Sequence, residues 1–456
     1  MSTTRKRIVI CGAGPAGAAA ALLARTWFDV VLIDEHERPG GQYWRGRSRG
    51  PTWASPPQLE RAAHVRYRGD TQIVDASQSG ALGCIGGDGT LTHEPYDALV
   101  IASGAYDRSI AVPGWTLPGV TTAGASYTMA REHGVSPGRH VVIAGAGLLL
   151  FALAAELRRL GSAVTIVDAS NLGTHLGVAR QALADPTLVG EVLALRLFSP
   201  LGVSWKPGHI VTAIRGRERV RSVEVSRCDS DWRPCAGTTT EIEADAVCLG
   251  FGLVPHLDIA SSLGCEIRRL QDAPDFGVRV DAGQRTSVAG VYAAGETTGI
   301  GGARLAAFEG HLAALTAAFD HGLLGSRTFA GACARARTRM RPLQGLAEVL
   351  RRAYAPRDGA WLLADSSTIV CRCEEVAEST VAEALGETDS SVLAIKAMTR
   401  LGMGPCQGRV CMPHMIERLR ITQGRDPSQQ LGLWRVRQPL RPIPLKALAD
   451  VADGAW

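Results

Sequence analysis

The sequence predicts an α/β chain with two Rossmann-like dinucleotide-binding domains, followed by a small, mainly helical domain built around four cysteines. Three features carry that expectation. Gly12-Ala13-Gly14-Pro15-Ala16-Gly17 stands between an apolar β-rich run and an alanine-rich stretch. Gly145-Ala146-Gly147-Leu148-Leu149-Leu150 repeats the arrangement, and Cys371, Cys373, Cys406 and Cys411 cluster late in the chain.

The first fingerprint has every part of a nucleotide-binding βαβ unit. Arg7 to Cys11 reads as a strand, Ala16 to Arg25 as a helix and Val30 to Ile33 as a second strand. Gly12 makes the tight turn, Gly14 admits a pyrophosphate close to the backbone, and Gly17 lets helix and strand pack closely. Pro15 and Ala16 open the helix, whose free N–H groups and positive dipole end suit phosphate. Asp34, with Glu35 beside it, closes the second strand where an acid should hold a ribose hydroxyl. Gly41 and Gln42 form a further glycine-bearing turn, and the apolar strand Asp97 to Ala105 ends in the small residues Ser103 and Gly104.

The second unit is altered. His140 to Ala144 reads as a strand, Phe151 to Leu160 as a helix and Val164 to Val167 as a strand ending at Asp168, but Leu150 occupies the third glycine place. A leucine there is expected to push the helix outward and narrow the space for a nicotinamide dinucleotide. Loss of NAD(P)H binding is the reading taken; local repacking with NAD(P)H still bound is the other. Ala244 to Pro255 repeats the Asp97 strand design, and Ser287 to Gly310 reads as strand, glycine turn and helix. An arginine-rich helix follows over Thr328 to Ala355. The tail from Pro427 to Trp456 has little periodicity and no evident role.

Composition narrows the function classes. Forty-nine basic against 44 acidic residues give a charge of +5 with no block of like sign, so no nucleic-acid function is read from it. The basic, apolar start runs straight into a fingerprint that needs it as a strand, so it is not taken as a secretion signal. No apolar run is long enough to span a bilayer, and a cytoplasmic location is expected. Seven of the 11 cysteines are dispersed and read as small buried side chains. His64, His93, His175, His209 and His256 stand singly and are expected to be structural; no residue has the disposition of a substrate base.

The remaining cysteines carry the sharpest signal. Cys371-Arg-Cys373 and, after 32 intervening residues, Cys406-Gln-Gly-Arg-Val-Cys411 can surround a compact two-iron centre. Two ferric ions, two sulfides and four thiolates sum to about −2, which Arg372, Lys396, Arg400 and Arg409 could offset. Structural zinc fits the one-residue spacing poorly, disulfides fit a cytosolic chain poorly, and His414 alone cannot make a Rieske site.

These motifs resemble known families. Residues 5 to 325 resemble the two-dinucleotide-domain flavoprotein disulfide-reductase superfamily, with Gly295-Glu296 where that superfamily places Gly-Asp on the ribityl chain. Its redox Cys-x-x-Cys is missing, since Cys228 and Cys235 are separated by six residues. Residues 366 to 425 resemble the bacterioferritin-associated ferredoxin-like 2Fe–2S domain, which implies Cys371, Cys373, Cys406 and Cys411 as ligands. The whole chain resembles the α (A) subunit of bacterial FAD-dependent amino-acid and opine dehydrogenases, a family that includes octopine, nopaline and hydroxyproline enzymes and hydrogen cyanide synthase.

That resemblance implies FAD and a 2Fe–2S cluster as cofactors, with Gly12, Gly14, Pro15, Ala16, Gly17, Asp34, Glu35, Gly41, Gln42, Ser103, Gly104, Gly295 and Glu296 at the dinucleotide. The first site could hold another adenine nucleotide instead. The partners it implies are an FAD-containing β subunit that is catalytic, a small ferredoxin-like γ subunit with its own 2Fe–2S cluster, and a quinone or other acceptor. Any membrane association would be peripheral and through the complex. The expected division is 1–117 with 251–325 (FAD domain), 118–250 (second dinucleotide domain), 326–365 (helical linker), 366–425 (2Fe–2S domain) and 426–456 (tail).

Overall fold

The computed structural model describes residues 5–45, 59, 62–77, 80–183, 202–271, 273–387, 391–424 and 436–449; the rest of the tail lies outside the described residues. The chain begins with β1 (Arg7–Cys11), α1 (Pro15–Ala24), β2 (Asp29–Ile33), β3 (Val65–Arg68) and β4 (Ala98–Ile101). Then come β5 (Val120–Thr122), β6 (His140–Gly145), α2 (Leu148–Arg159), β7 (Ala163–Asp168), α3 (Leu172–Leu183), β8 (Ser204–Pro207) and β9 (Ala246–Gly250). After β10 (Val291–Ala293), α4 (Ala303–Asp320) and α5 (Ser326–Tyr354), the last unit holds β11 (Ile369–Cys371), α6 (Val392–Thr399) and α7 (Met412–Gln423).

Two parallel sheets result. The first runs β10-β4-β1-β2-β3 and the second β8-β7-β6-β9-β5. Their central strands, RIVIC and HVVIAG, are buried on both faces: helices pack on one face of each sheet and antiparallel strands on the other. In each sheet the glycine turn follows a central strand where the strand order reverses, which puts a crevice there.

Small residues set the layer spacing beside the first turn. α1 is almost all alanine and lies buried against α4. A Cβ on Gly310 of α4 would come 2.0 Å from Ala16 O, so the helices touch backbone to backbone. Where the two sheets join, a short antiparallel pair links Ala105–Asp107 to Leu253–Pro255. Arg108, 2 % exposed, ties it down by donating to Phe251 O at 3.1 Å and Leu253 O at 2.9 Å while pairing with Asp275.

The four-cysteine unit shares one core with the second sheet, through Trp115, Trp361, Met412, Met415 and Leu419. The Trp115 indole donates to Ile369 O at 2.6 Å, and the Arg372 guanidinium lies 5.3 Å over the same ring. The described part of the tail, 436–449, has a role its sequence does not advertise. Leu440 is buried and donates to Val74 O at 2.7 Å, while Gln407 donates to Pro439 O at 2.7 Å. The strap thus holds the cysteine loop to the first sheet's side. Among the described residues no helix is long and apolar enough to cross a membrane.

Candidate functional site

The first glycine turn is shaped for close backbone approach. Gly12 has φ +99°, and a Cβ there would sit 2.3 Å from Ala102 O; one on Gly17 would sit 1.8 Å from Gly12 O. Both glycines serve the fold. Gly14 differs: it caps α1 at φ −69°, and the nearest atom to a Cβ there is Gly41 Cα at 4.0 Å. The protein leaves that space open, and Gly41, at φ +54°, brings a second glycine turn to its edge. Pro15 and Ala16 follow as the first turn of α1.

Asp34 lies beside this cradle. Its Oδ2 accepts from Ala13 N at 2.6 Å and its Oδ1 from His36 N at 2.9 Å. Burial pushes its carboxyl up to about 6, against the Ala13 bond that favours the anion. Glu35 is exposed, 4.0 Å from Arg441 of the strap. Gln42 accepts from Thr128 Oγ1 at 3.4 Å. Ser103 Oγ donates to His256 O, and Gly104, at φ +73°, accepts from His256 N, both at 2.9 Å.

Gly295 and Glu296 close the far side. Gly295, at φ +77°, donates to Glu309 Oε2 at 2.7 Å, and Glu296 accepts from Gly302 N at the start of α4. Burial raises both carboxyls, Glu309 to about 7. Sequence reading missed Glu309. It stands on a helix 14 residues from Gly295, and only the folded turn brings them together. The open position at Gly14, the facing turn at Gly41 and the acid at Asp34 fit the ADP half of a dinucleotide.

The second fingerprint is bordered by the chain's own side chains. Gly147 opens α2 at φ +106°, but Tyr354, the last residue of α5, lies 3.8 Å from where its Cβ would be. Asp168, fully buried at the end of β7, accepts from Ser170 N at 2.9 Å and meets His175 Nε2 at 2.8 Å. His175 Nδ1 in turn lies 3.1 Å from the Tyr354 hydroxyl, with Phe151 and Trp205 edge-on to its ring. His175 therefore does not stand singly, as its sequence context suggests.

The expected effect of Leu150 needs correcting on this point. It is fully buried under α2, over Gly250, where a Cβ would lie 2.8 Å from Leu150 Cδ2. The glycine at the end of β9 makes room for the leucine, so the crowding of the second turn comes from Tyr354.

The four cysteines converge. Cys371 ends β11, Cys411 caps α7, and Cys373 and Cys406 stand on the intervening turns. Sγ of Cys373 lies 3.8 Å from Cys371 and 3.6 Å from Cys406, and Cys411 hydrogen-bonds Cys371. Two thiolates ~2.3 Å from one tetrahedral ion stand about 3.8 Å apart, so this is ligand spacing. Among the described residues no group of three or more His, Cys, Asp or Glu is arranged around a single metal ion.

Electrostatics agree with a metal centre. The Cys411 thiol pulls Cys371 down to about 5, and the same bond pushes Cys411 up; burial and the neighbouring sulfurs push Cys373 up to about 12. Four thiolates at this spacing are stable together only around positive charge. Of the four cationic residues expected to supply it from outside, Arg409 pairs with Asp258, Arg400 with Glu374, and Arg372 stacks on Trp115. His414 pairs with Glu378 and takes no part.

A cleft of about 570 Å³ elsewhere, at the opposite ends of β1 to β3, is lined by Arg7, Arg66 and Glu94. Arg7, Arg66 and Arg68 all pair with the buried Glu94, so its charges are internally satisfied.

Comparison with known proteins agrees with both halves. Residues 6–322 match the pyridine nucleotide-disulphide oxidoreductase family, and residues 369–420 match the BFD-like 2Fe-2S binding domain. Hydrogen cyanide synthase subunit HcnB of Pseudomonas protegens is 31 % identical, over 96 % of this chain and 96 % of that protein. The A subunit of opine oxidase from Rhizobium meliloti is 31 % identical, over 98 % of this chain and 88 % of its own length. The solved L-proline dehydrogenase from P. horikoshii shares the fold, with a TM-score of 0.71 over 97 % of this chain and 79 % of that one at 19 % identity. The cofactors that go with the two matched domains are FAD and a 2Fe–2S cluster. The chain belongs to the pyridine nucleotide-disulphide oxidoreductase family and, carrying a BFD-like 2Fe-2S domain, is an oxidoreductase subunit similar to HcnB and to the opine oxidase A subunits.

Proposed function

We propose that this chain is the electron-transfer subunit of a multi-subunit FAD-dependent dehydrogenase that oxidises the C–N bond of an amino acid or opine. It takes electrons from an FAD-containing catalytic β subunit and delivers them, with a small ferredoxin-like γ subunit, to a quinone-type acceptor. The observation that carries this reading is the joining of a dinucleotide cradle and a four-thiolate centre in one chain whose second nucleotide turn has Tyr354 against it and its acid, Asp168, engaged by His175. FAD, when bound, accepts an electron pair and releases electrons singly, as an iron–sulfur acceptor requires.

The chain's own residues have assigned parts in this proposal. Gly14, Ala16 and Gly17 present backbone N–H groups to the pyrophosphate, Gly12 makes the turn beneath it and Pro15 opens the helix, with Gly41 and Gln42 across the cradle. Asp34 takes the ribose hydroxyls and Glu35 borders them. Ser103, Gly104, Gly295 and Glu296 line the ribityl side. Cys371, Cys373, Cys406 and Cys411 hold the cluster. The domain limits proposed are those expected from the sequence, 1–117 with 251–325, 118–250 and 366–425.

A self-contained NAD(P)H-dependent reductase is the competing reading, and the engagement of Asp168 by His175 beside the second turn counts against it. Co-purification from the native source with an amino-acid and opine screen on an artificial acceptor tests the proposal. Amine-linked activity appearing only with a partner flavoprotein is the expected result; full NADH-driven activity of the isolated chain would overturn it.

A further inference from the structure

One hydrogen-bonded chain of largely buried groups runs from the proposed ribityl side to the cysteine loop. Ser103 Oγ and Thr297 Oγ1 both donate to His256 O at 2.9 Å. His256 Nε2 meets Asp258 Oδ2 at 3.0 Å, and the same oxygen accepts Arg409 Nε at 2.8 Å and, still closer, Arg409 Nη2. Arg409 Nη1 then donates to the carbonyl of Cys406 at 3.2 Å, and its Nη2 to Leu440 O of the strap at 2.9 Å. The Asp258 and Arg409 side chains are each 12 % exposed.

We propose that Asp258 and Arg409 are positioning residues that fix the Cys406–Cys411 loop against the first domain and together set the charge beside the four thiolates. This rests on reading those thiolates as an iron–sulfur site. Arg409 stands between Cys406 and Cys411, so its cation would by itself favour the reduced, more negative centre. Asp258 cancels most of that field, and at this burial the pair is little screened by water. The carboxylate is held in its charged form: burial pushes it up, but His256 and Arg409 more than offset this and leave it at about 2. Geometry and charge are therefore linked: the fork that seats the loop is also the pair in which Asp258 offsets the Arg409 charge, beside the cation of Arg441.

The opposite charges give a signature that loosening cannot imitate. The full chain is purified anaerobically, assayed for iron and sulfide, and titrated with the cluster's paramagnetic signal as readout. Asp258→Asn leaves Arg409 uncompensated, and the midpoint potential should rise. Arg409→Gln leaves Asp258 uncompensated, and it should fall. Each shift is expected to be on the order of tenfold in the reduction equilibrium, about 59 mV for one electron. The double variant should return towards the parent, and Arg409→Lys should stay nearer to it than Arg409→Gln. Shifts of both single variants in one direction, or none, would overturn the proposal. If Arg409→Gln loses its iron, Asp258→Asn decides alone: a rise supports the proposal and an unchanged potential overturns it. A parent chain with no iron or sulfide fails before any variant is made, and that failure belongs to the cluster reading on which the inference stands.

Discussion

Tyr354 packs 3.8 Å from the point where Gly147 would carry a Cβ, so the end of one long helix lies in contact with the second glycine turn. Its hydroxyl reaches His175, and His175 reaches Asp168, the acid placed to hold a ribose. The acid beside the second turn is thus already engaged within the fold.

The flavin of the isolated chain should consequently stay oxidised when NADH or NADPH is added anaerobically, yet bleach with dithionite. Tyr354→Ala should cost about 1–3 kcal/mol of stability, from lost packing and one lost hydrogen bond, and leave iron content unchanged. Absorbance at the flavin band and thermal unfolding read the two effects separately. Rapid bleaching by NADH would show that a nucleotide reaches the second domain by another route.

Gly14 and Gly17 should respond differently to the same added methyl group. At Gly17 the methyl meets Gly12 O at 1.8 Å, so Gly17→Ala should cost several kcal/mol and yield little folded protein. At Gly14 the nearest atom is 4.0 Å away, so the fold should accept Gly14→Ala with a change within about 1 kcal/mol. The bulkier Gly14→Val should fold but lose most bound dinucleotide, because only the ligand needs that space. Acid-released adenine nucleotide per chain and far-UV melting distinguish these outcomes, and the released nucleotide also identifies FAD against ADP or ATP.

Much of this was legible in the sequence where local chemistry decides. Both glycine turns, the strands before them, Asp34 and Asp168, and the four cysteines declare themselves by spacing, because each falls at a recognisable distance along the chain from its partners. The links that fold distant segments together left no such mark. Glu309 under Gly295, Tyr354 on Gly147, and Arg409 on Asp258 are contacts between elements 14 to 207 residues apart. Leu150 misled because its compensation, Gly250, lies 100 residues away at the end of another strand. The strap at 436–449 has little periodicity because it forms no strand and only the short helix Leu445–Ala449; it contributes backbone carbonyls and a few apolar residues, Leu440 to one cluster and Ile443 and Ala447 to another.

Anaerobically purified protein should carry about two irons and two labile sulfides per chain. Cys406→Ser should abolish the reduced-state paramagnetic signal while leaving dinucleotide content largely intact, since Cys406 touches the first cradle only through Arg409 and the strap. One tightly held zinc without sulfide would instead favour a structural metal, and an unchanged spectrum would remove Cys406 from the ligand set.

Glu309 makes stability depend on pH in a direction opposite to that of most carboxylates. Its folded value, raised by burial to about 7, lies above the usual 4.5. Between those values the native state keeps a proton that the unfolded state has released, so stability falls as pH rises through the window and levels off above it. Each unit of separation corresponds to about 1.4 kcal/mol, and the span amounts to roughly 2–4 kcal/mol. Glu309→Gln keeps an acceptor for Gly295 N and removes the titration. The variant should match the parent near pH 4.5 and exceed it in unfolding free energy above pH 7. Taking the difference between the two proteins cancels Asp34, which titrates near 6 in both. A constant difference across the window would mean that Glu309 keeps the same charge in the folded and unfolded chains, and that the backbone donor at Gly295 and the nearby Arg351 offset its burial in full.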